Sequence, residues 1–279
     1  KSIHEAVAII KKWNPGVTVV LGGVYPTSLP EVAMNDQNID YVVLSEGEIR
    51  FSRLLDALEK DKTDIKKIEG LEYRSDEKVV VNPVTDFIGD LDSIPFPAYD
   101  LVDFSAYSLN SGKYDIYNNP VHTPYAVTVS SRGCPFHCFF CANKPLSGEK
   151  IRYRSAKNVL QEIDWLIQEY GIREITFLDD NLLLNKRRIL DIMQGIKERG
   201  ITWRALTIPV FAMDDEMLEM IKASGCDRVI LPIESGNQYV LDKIVNKPLK
   251  LYKALRVIAK AKELNLTIMC GFVIGMPGE

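Results

Sequence analysis

Three of the chain's five cysteines fall in one short stretch, at Cys134, Cys138 and Cys141. The segment reads Ser130-Ser131-Arg132-Gly133-Cys134-Pro135-Phe136-His137-Cys138-Phe139-Phe140-Cys141, a Cys-x3-Cys-x2-Cys spacing with an aromatic residue before the last cysteine. Structural zinc is closed by four ligands, and ferredoxin-type clusters use four thiolates. A cubane iron–sulfur cluster held by only three cysteines leaves one iron open to bind something else. His137 sits between the ligands, poorly placed to complete a Cys3His zinc site. An electron-transfer cluster and buried structural cysteines are the remaining alternatives. Cys226 and Cys270 lie beside or within apolar strand patterns and read as small core residues. An odd, clustered set without a secretion signal argues against a disulfide framework and for a reducing, cytoplasmic setting.

Such a site needs elements that position it. Strand patterns run over 125–130, 173–178, 202–208, 228–233 and 267–274, and helix patterns over 156–170, 185–199, 214–224 and a pair within 237–264. Strands alternating with helices of this length predict βαβ units and a parallel sheet, here an open or partial (β/α) barrel over 121–279 that stops after its fifth strand. Chemistry in such barrels sits where strands end and the following loops begin. The cysteine stretch follows the first strand. The second strand ends in Asp179-Asp180-Asn181, paired carboxylates that could accept from an ammonium group or fix a ligand, and that equally suit the N-cap of the next helix. The fourth ends in Glu234-Ser235-Gly236, a ligand contact or a turn with an N-cap at Ser235. In the fifth, Gly271 and Gly275 permit a close backbone approach to a ligand. Arg204, on the third, reads as a surface or barrel-rim residue.

Residues 1–60 alternate in a similar way. A helix from Ser2 to Trp13 ends at Asn14-Pro15-Gly16, and a strand at 17–21 stops at Gly22-Gly23. A helix near 29–34, a strand at 41–44 and a helix at 49–59 follow, as in the later part of a doubly wound α/β sheet. Over 61–120 the helix signals fade into a β-hairpin at 71–81 and an irregular linker with Tyr99 and Tyr107. The composition is 46% hydrophobic and 26% charged, that of a globular domain. A net charge of −4 without a basic run gives no footprint for nucleic acid, and no apolar run is long enough for a membrane span. The chain starts without Met and ends on GFVIGMPGE, so truncation at both ends is expected.

The cysteine motif closely resembles that of the radical S-adenosylmethionine (radical SAM) superfamily. Phe177-Leu178-Asp179-Asp180-Asn181, Ile233-Glu234-Ser235-Gly236 and Gly271-Phe272-Val273-Ile274-Gly275-Met276-Pro277-Gly278-Glu279 resemble segments of its cobalamin-dependent branch, in the same order. The resemblance implies a [4Fe–4S] cluster on Cys134, Cys138 and Cys141. It implies S-adenosylmethionine contacts at Phe140, Asp179, Asp180, Glu234, Ser235, Gly271 and Ile274. Pro232 departs from the family's usual glycine. Residues 22–48 resemble the second half of a cobalamin-binding Rossmann-like domain, which implies corrinoid contacts at Gly22, Gly23, Ser45, Glu46 and Gly47. There Tyr25 and Ser45 replace a common His and Gly, and no Asp-x-His-x-x-Gly segment is present. The implied architecture is α/β, a partial cobalamin-binding domain over 1–60, a linker over 61–120 and a partial radical SAM barrel over 121–279. The implied activity is reductive cleavage of S-adenosylmethionine to a 5′-deoxyadenosyl radical, in a cobalamin-dependent methyltransferase acting on a small molecule with an external electron donor of the flavodoxin or ferredoxin type. The alternatives are a cyclase or rearrangement enzyme of the anaerobic porphyrin-ring type, and an iron–sulfur electron carrier or sensor without enzymatic activity.

Overall fold

The computed structural model describes residues 2–60, 63–75, 78–109, 120–206 and 208–279. The chain forms two compact units, residues 1–89 with 142–149, and residues 90–141 with 150–279.

The first unit opens with α1 (Ile3–Trp13), started by a reciprocal cap: the Ser2 hydroxyl accepts from the Glu5 N–H, and the Glu5 carboxylate accepts from the Ser2 N–H. Then come β1 (Val20–Gly22), α2 (Val24–Ser28), α3 (Pro30–Met34), β2 (Tyr41–Val43), α4 (Gly47–Glu59), β3 (Leu71–Ser75) and β4 (Lys78–Val81). They build one sheet in the order β1-β2-β3-β4, with β1 and β2 parallel and the other pairs antiparallel. Successive strand residues face opposite sides. Val42 accordingly packs with Leu21, Ala33, Met34 and Ile39, while Val43 packs with Leu54, Leu71 and Tyr73.

This unit differs from the sequence expectation in one respect. The 71–81 hairpin, assigned there to a linker, is bonded to β2 in the register Tyr41↔Tyr73 and belongs to the first unit. Local pattern predicts a hairpin but not its long-range partner. Residues 61–62, 76–77 and 110–119 of that linker, and the side chain of Tyr107, lie outside the described residues.

The second unit contains α5 (Phe104–Leu109), β5 (Tyr125–Thr128), β6 (Ser131–Arg132), β7 (Arg152–Tyr153), α7 (Ala156–Tyr170), β8 (Glu174–Phe177), α8 (Lys186–Arg199), β9 (Thr202–Ala205), α9 (Asp215–Ala223), β10 (Arg228–Glu234), α10 (Leu251–Glu263) and β11 (Thr267–Phe272); α6 (Asn143–Ser147) belongs to the first unit. Strands β5, β8 and β9 form a parallel sheet in sequence order, and β10 and β11 form a second parallel pair. The Ile208 N–H, donating to the Ile230 carbonyl at 2.9 Å, ties the chain after β9 to β10. This is the expected barrel order, with the strands following the sequence pattern to within a few residues; Thr207 of the third strand pattern is not described. The helix pair in 237–264 is a π-helix at Val240–Val245, ended by Asn246 in the left-handed region at φ 57°, and then α10.

The core joins α7, α8 and α9 to the strands through Ile163, Ile175, Phe177, Ile189, Trp203, Met217 and Leu231. Trp203 is buried, and its indole N–H donates to the Ser224 hydroxyl at 2.9 Å. Arg204 is not a rim residue. It is 4% exposed, with Nε 3.3 Å from Glu174 Oε1 and Nη2 3.3 Å from Asp227, carboxylates near the N-terminal ends of β8 and β10. A buried guanidinium is tolerable only beside such charges. No helix among the described residues is long and apolar enough to cross a membrane.

Candidate active site

The parallel strands deliver their following loops to one edge, and the cysteine loop leaves β5 there. Its base is held by the antiparallel pairing of β6 with β7, Ser131 opposite Tyr153. Gly133, at φ 96°, then turns the chain into Cys134, a conformation that an L side chain rarely adopts. The rest of the loop is fixed from the π-helix side. The Phe139 N–H donates to the Val245 carbonyl at 2.9 Å, and the Asn246 side-chain amide to the His137 carbonyl at 3.3 Å. The Cys141 N–H closes a turn on the Cys138 carbonyl at 3.0 Å. Phe136 packs edge-on against Phe211, with centroids 4.7 Å apart.

Cys134 and Cys138 are half-buried and Cys141 is exposed. Cys138 packs against Val240, Val245 and Met276, so the ends of three elements meet at this thiol. Burial pushes the Cys138 thiol up; the Lys247 ammonium opposes this, while Cys141, Cys134 and Glu234 reinforce it. Among the described residues, no three His, Cys, Asp or Glu side chains converge as ligands of one metal ion. Thiolates on one zinc would stand about 3.8 Å apart. On a cubane each takes its own iron and they stand wider.

The remaining cysteines separate. Cys226 is buried, donates to the Arg228 carbonyl at 3.0 Å, and senses Asp227, Arg204 and Glu174 near the strands' N-terminal ends. Cys270, expected in the core, is instead exposed on β11, which pairs only with β10 among the described residues. Burial pushes the Cys226 thiol up to about 12. Because the thiolate is the nucleophile, iodoacetamide at pH 8 is expected to label Cys270 in the folded protein and spare Cys226. Equal labelling of both, read by mass spectrometry, would contradict the burial of Cys226.

The paired carboxylates after β8 face different ways. Asp180 is exposed, whereas Asp179 is 2% exposed, and its carboxylate accepts from the Ser130 N–H at 3.0 Å and from the hydroxyls of Ser130 and Ser131. Burial raises the Asp179 carboxyl, opposed by these serine bonds and by Arg188. The expectation of a ligand contact therefore rests on Asp180, and Asp179 is turned toward the protein. Neither caps α8; Asn185 does, accepting from the Arg188 N–H at 3.2 Å.

Glu234 lies at a bulge between β10 and β11, in the left-handed region at φ 68°. A non-glycine residue there is uncommon, and such strain clusters at functional sites. Its carboxylate accepts from Lys247 Nζ at 2.8 Å, and both side chains are largely buried. The Ser235 hydroxyl accepts from the Asn237 N–H at 3.1 Å, the turn anticipated from the sequence. Lys247 was not singled out by sequence, because it lies thirteen residues from Glu234 and only the turn of the chain at Asn246, left-handed at φ 57°, brings it back. Phe140 is 44% and Ile274 is 90% exposed, and a Cβ added at Gly236, Gly271 or Gly275 would meet nothing within 4 Å. The segment after β11 that carries Gly275 reaches the cysteine loop through Met276, which packs with Cys138.

In the first unit, Gly22-Gly23 and Ser45-Glu46-Gly47 follow the adjacent parallel strands β1 and β2, paired Gly22↔Val43. Gly23 has φ 93° with open space at its Cβ position. The Ser45 N–H donates to Thr27 Oγ1 at 2.8 Å and its hydroxyl to the Leu146 carbonyl at 2.6 Å. The Glu46 carboxylate is buried and accepts from the Ile88 N–H at 2.7 Å. Backbone at the two glycine turns is thus the part of this set open to a ligand.

Residues 128–279, more than half of the chain, match the family model of the radical SAM superfamily. The chain belongs to the radical SAM superfamily. It is 36% identical over 279 residues to an uncharacterized methyltransferase, PH0819, from Pyrococcus horikoshii, covering 99% of this chain and 58% of the relative. It is 30% identical over 300 residues to the cytidylyl-2-hydroxyethylphosphonate methyltransferase of Streptomyces wedmorensis, covering 99% and 55%. The chain thus spans a little over half the length of these curated relatives. Its fold matches the radical SAM methyltransferase TsrM from Kitasatospora setae, solved with tryptophan and an S-adenosylmethionine analogue, at a TM-score of 0.80 and 18% identity over 99% of this chain and 53% of TsrM. TsrM with cobalamin and a [4Fe–4S] cluster bound matches at a TM-score of 0.77, with 18% identity over 99% of this chain and 54% of TsrM. The likeness in fold to TsrM thus extends beyond the radical SAM region to the residues of the first unit.

Proposed function

We propose that this chain is the core of a cobalamin-dependent radical SAM methyltransferase that cleaves S-adenosylmethionine at a [4Fe–4S] cluster. The observation that carries the reading is the loop of three thiols at the strand ends, with Cys138 packed where the π-helix and the segment after β11 meet. The cluster and S-adenosylmethionine, when bound, supply an electron and a 5′-deoxyadenosyl radical, and cobalamin supplies the methyl group. Cys134, Cys138 and Cys141 hold three irons. Asp180, Glu234 and Ser235 bind the polar part of S-adenosylmethionine, with Lys247 orienting the Glu234 carboxylate through their 2.8 Å ion pair. Phe140, Gly271 and Ile274 take its apolar and ring surfaces. Gly22, Gly23 and Gly47 admit the corrinoid, with Ser45 and Glu46 shaping the second turn. The electron comes from a flavodoxin- or ferredoxin-type donor, and the substrate is a small molecule.

The test is anaerobic reconstitution, reduction with dithionite and chromatography for 5′-deoxyadenosine, with cobalamin retention followed through gel filtration. Asp180→Ala and Glu234→Ala are expected to keep the cluster and weaken S-adenosylmethionine binding about tenfold or more, the effect of losing a charged hydrogen bond. A reduced, cluster-loaded protein that yields no 5′-deoxyadenosine would leave an electron carrier or sensor. A protein that cleaves S-adenosylmethionine but retains no cobalamin would remove the methyltransferase half of the proposal.

A further inference from the structure

A densely bonded buried serine lies just before the cysteine loop. Ser130 is fully buried at the junction between β5 and β6. Its N–H and hydroxyl donate to Asp179, and its carbonyl accepts from the Arg154 N–H at 3.0 Å and from Arg188 Nη2 at 2.7 Å. Asp179 also accepts from the hydroxyl of Ser131, and one residue earlier the Leu178 N–H donates to the Thr128 carbonyl at 2.9 Å. Arg188 is held in turn. Its Nε donates to the Arg154 carbonyl, and its guanidinium lies over the Tyr153 ring at 5.2 Å. Asp179, after β8, therefore grips the two serines that lead through Gly133 into Cys134, and Arg188, in the first turn of α8, holds the first of them.

A buried carboxylate is costly unless its oxygens are satisfied. Here three donors from two adjacent residues satisfy it, so the arrangement has one geometry and resists displacement. We propose, on the reading of a three-cysteine cluster given above, that Asp179 is a positioning residue that presets the cysteine loop for the cluster. It acts through Ser130 and Ser131 and touches neither iron nor S-adenosylmethionine. Asp180, its neighbour, faces out. The pair thus divides into an inward residue that sets the loop and an outward one that meets the ligand.

The experiment measures release of iron from the reconstituted protein to an excess of chelator, together with the electron paramagnetic resonance spectrum of the reduced cluster without S-adenosylmethionine. Asp179→Asn, which puts an amide donor against the serine donors, is expected to load about four irons but release them about tenfold faster, with an altered spectrum. Ser131→Ala, which removes one of the bonds and leaves the carboxylate satisfied by Ser130, is expected to release iron a few-fold faster, and it decides the matter if the Asn variant does not fold. Wild-type release rates and spectra in the variants, even with a lowered melting temperature, overturn the positioning role and leave Asp179 a structural residue. Failure of the wild-type protein to load iron would instead overturn the cluster reading on which this inference rests.

Discussion

Alanine at Cys134, Cys138 or Cys141 is expected to lower the iron of the reconstituted protein from about four per chain to background and to abolish its broad absorbance near about 400 nm. Each thiolate on a cubane serves its own iron, so two ligands cannot share the work of three. Neither remaining cysteine can substitute. Cys226 lies buried among Asp227, Arg204 and Glu174, and Cys270 lies exposed on β11, a different element from the cysteine loop. Alanine at Cys226 or Cys270 is therefore expected to leave the iron content unchanged. An empty site in Cys226→Ala alongside a loaded one in Cys134→Ala would show that the ligands are misassigned.

The second large effect belongs to Arg154. Its Nη1 lies 2.7 Å from the Glu162 carboxylate, a side chain only 1% exposed, and it also donates to the Val129 carbonyl at 3.1 Å. Glu162 accepts as well from Thr128 Oγ1 at 2.7 Å and from the Tyr99 hydroxyl at 3.2 Å. Burial and the Glu162 charge push the Tyr99 phenol far above its usual range, so it stays a neutral donor. Arg154→Ala removes the single cation from this set and leaves a buried carboxylate. The expected cost is about 3–5 kcal/mol, or a fall of roughly 10 °C in melting temperature. Arg154→Ala with Glu162→Gln is expected to recover much of that loss, because the uncompensated charge goes too. A single variant that melts within about 2 °C of wild type would show that the pair contributes little.

The elements of the second unit were legible because their signals are local. Periodicity of two and of 3.6 marked the strands and helices, although the residue that caps α8 is Asn185 and not the carboxylates that follow β8. The three cysteines were legible because their spacing is itself the chemistry. What failed depends on distant partners. The hairpin at 71–81 showed its turn but not its pairing with β2. Arg204 looked like any charged residue until Glu174 and Asp227 were brought to it. Asp179 and Asp180 are adjacent and chemically identical, and only the position of Ser130 decides which one turns inward. Cys270 sits in an apolar run that reads as core, yet β11 has a strand on one side only among the described residues.

The eight residues 142–149, which follow directly after Cys141, carry a consequence for how such genes can be shuffled. They belong to the first unit, where the Leu146 carbonyl receives the Ser45 hydroxyl and the backbone at Gly148 lies against the Phe87 ring. The first unit is thus built from two stretches of sequence separated by residues 90–141, and no single crossover can exchange it without also moving those residues of the second unit. A recombinant joined near residue 89 would pair a new first unit with a resident 142–149 segment from another lineage. The two units are therefore expected to be inherited together, and swapping the first unit alone between relatives calls for three junctions, so that residues 142–149 move with 1–89.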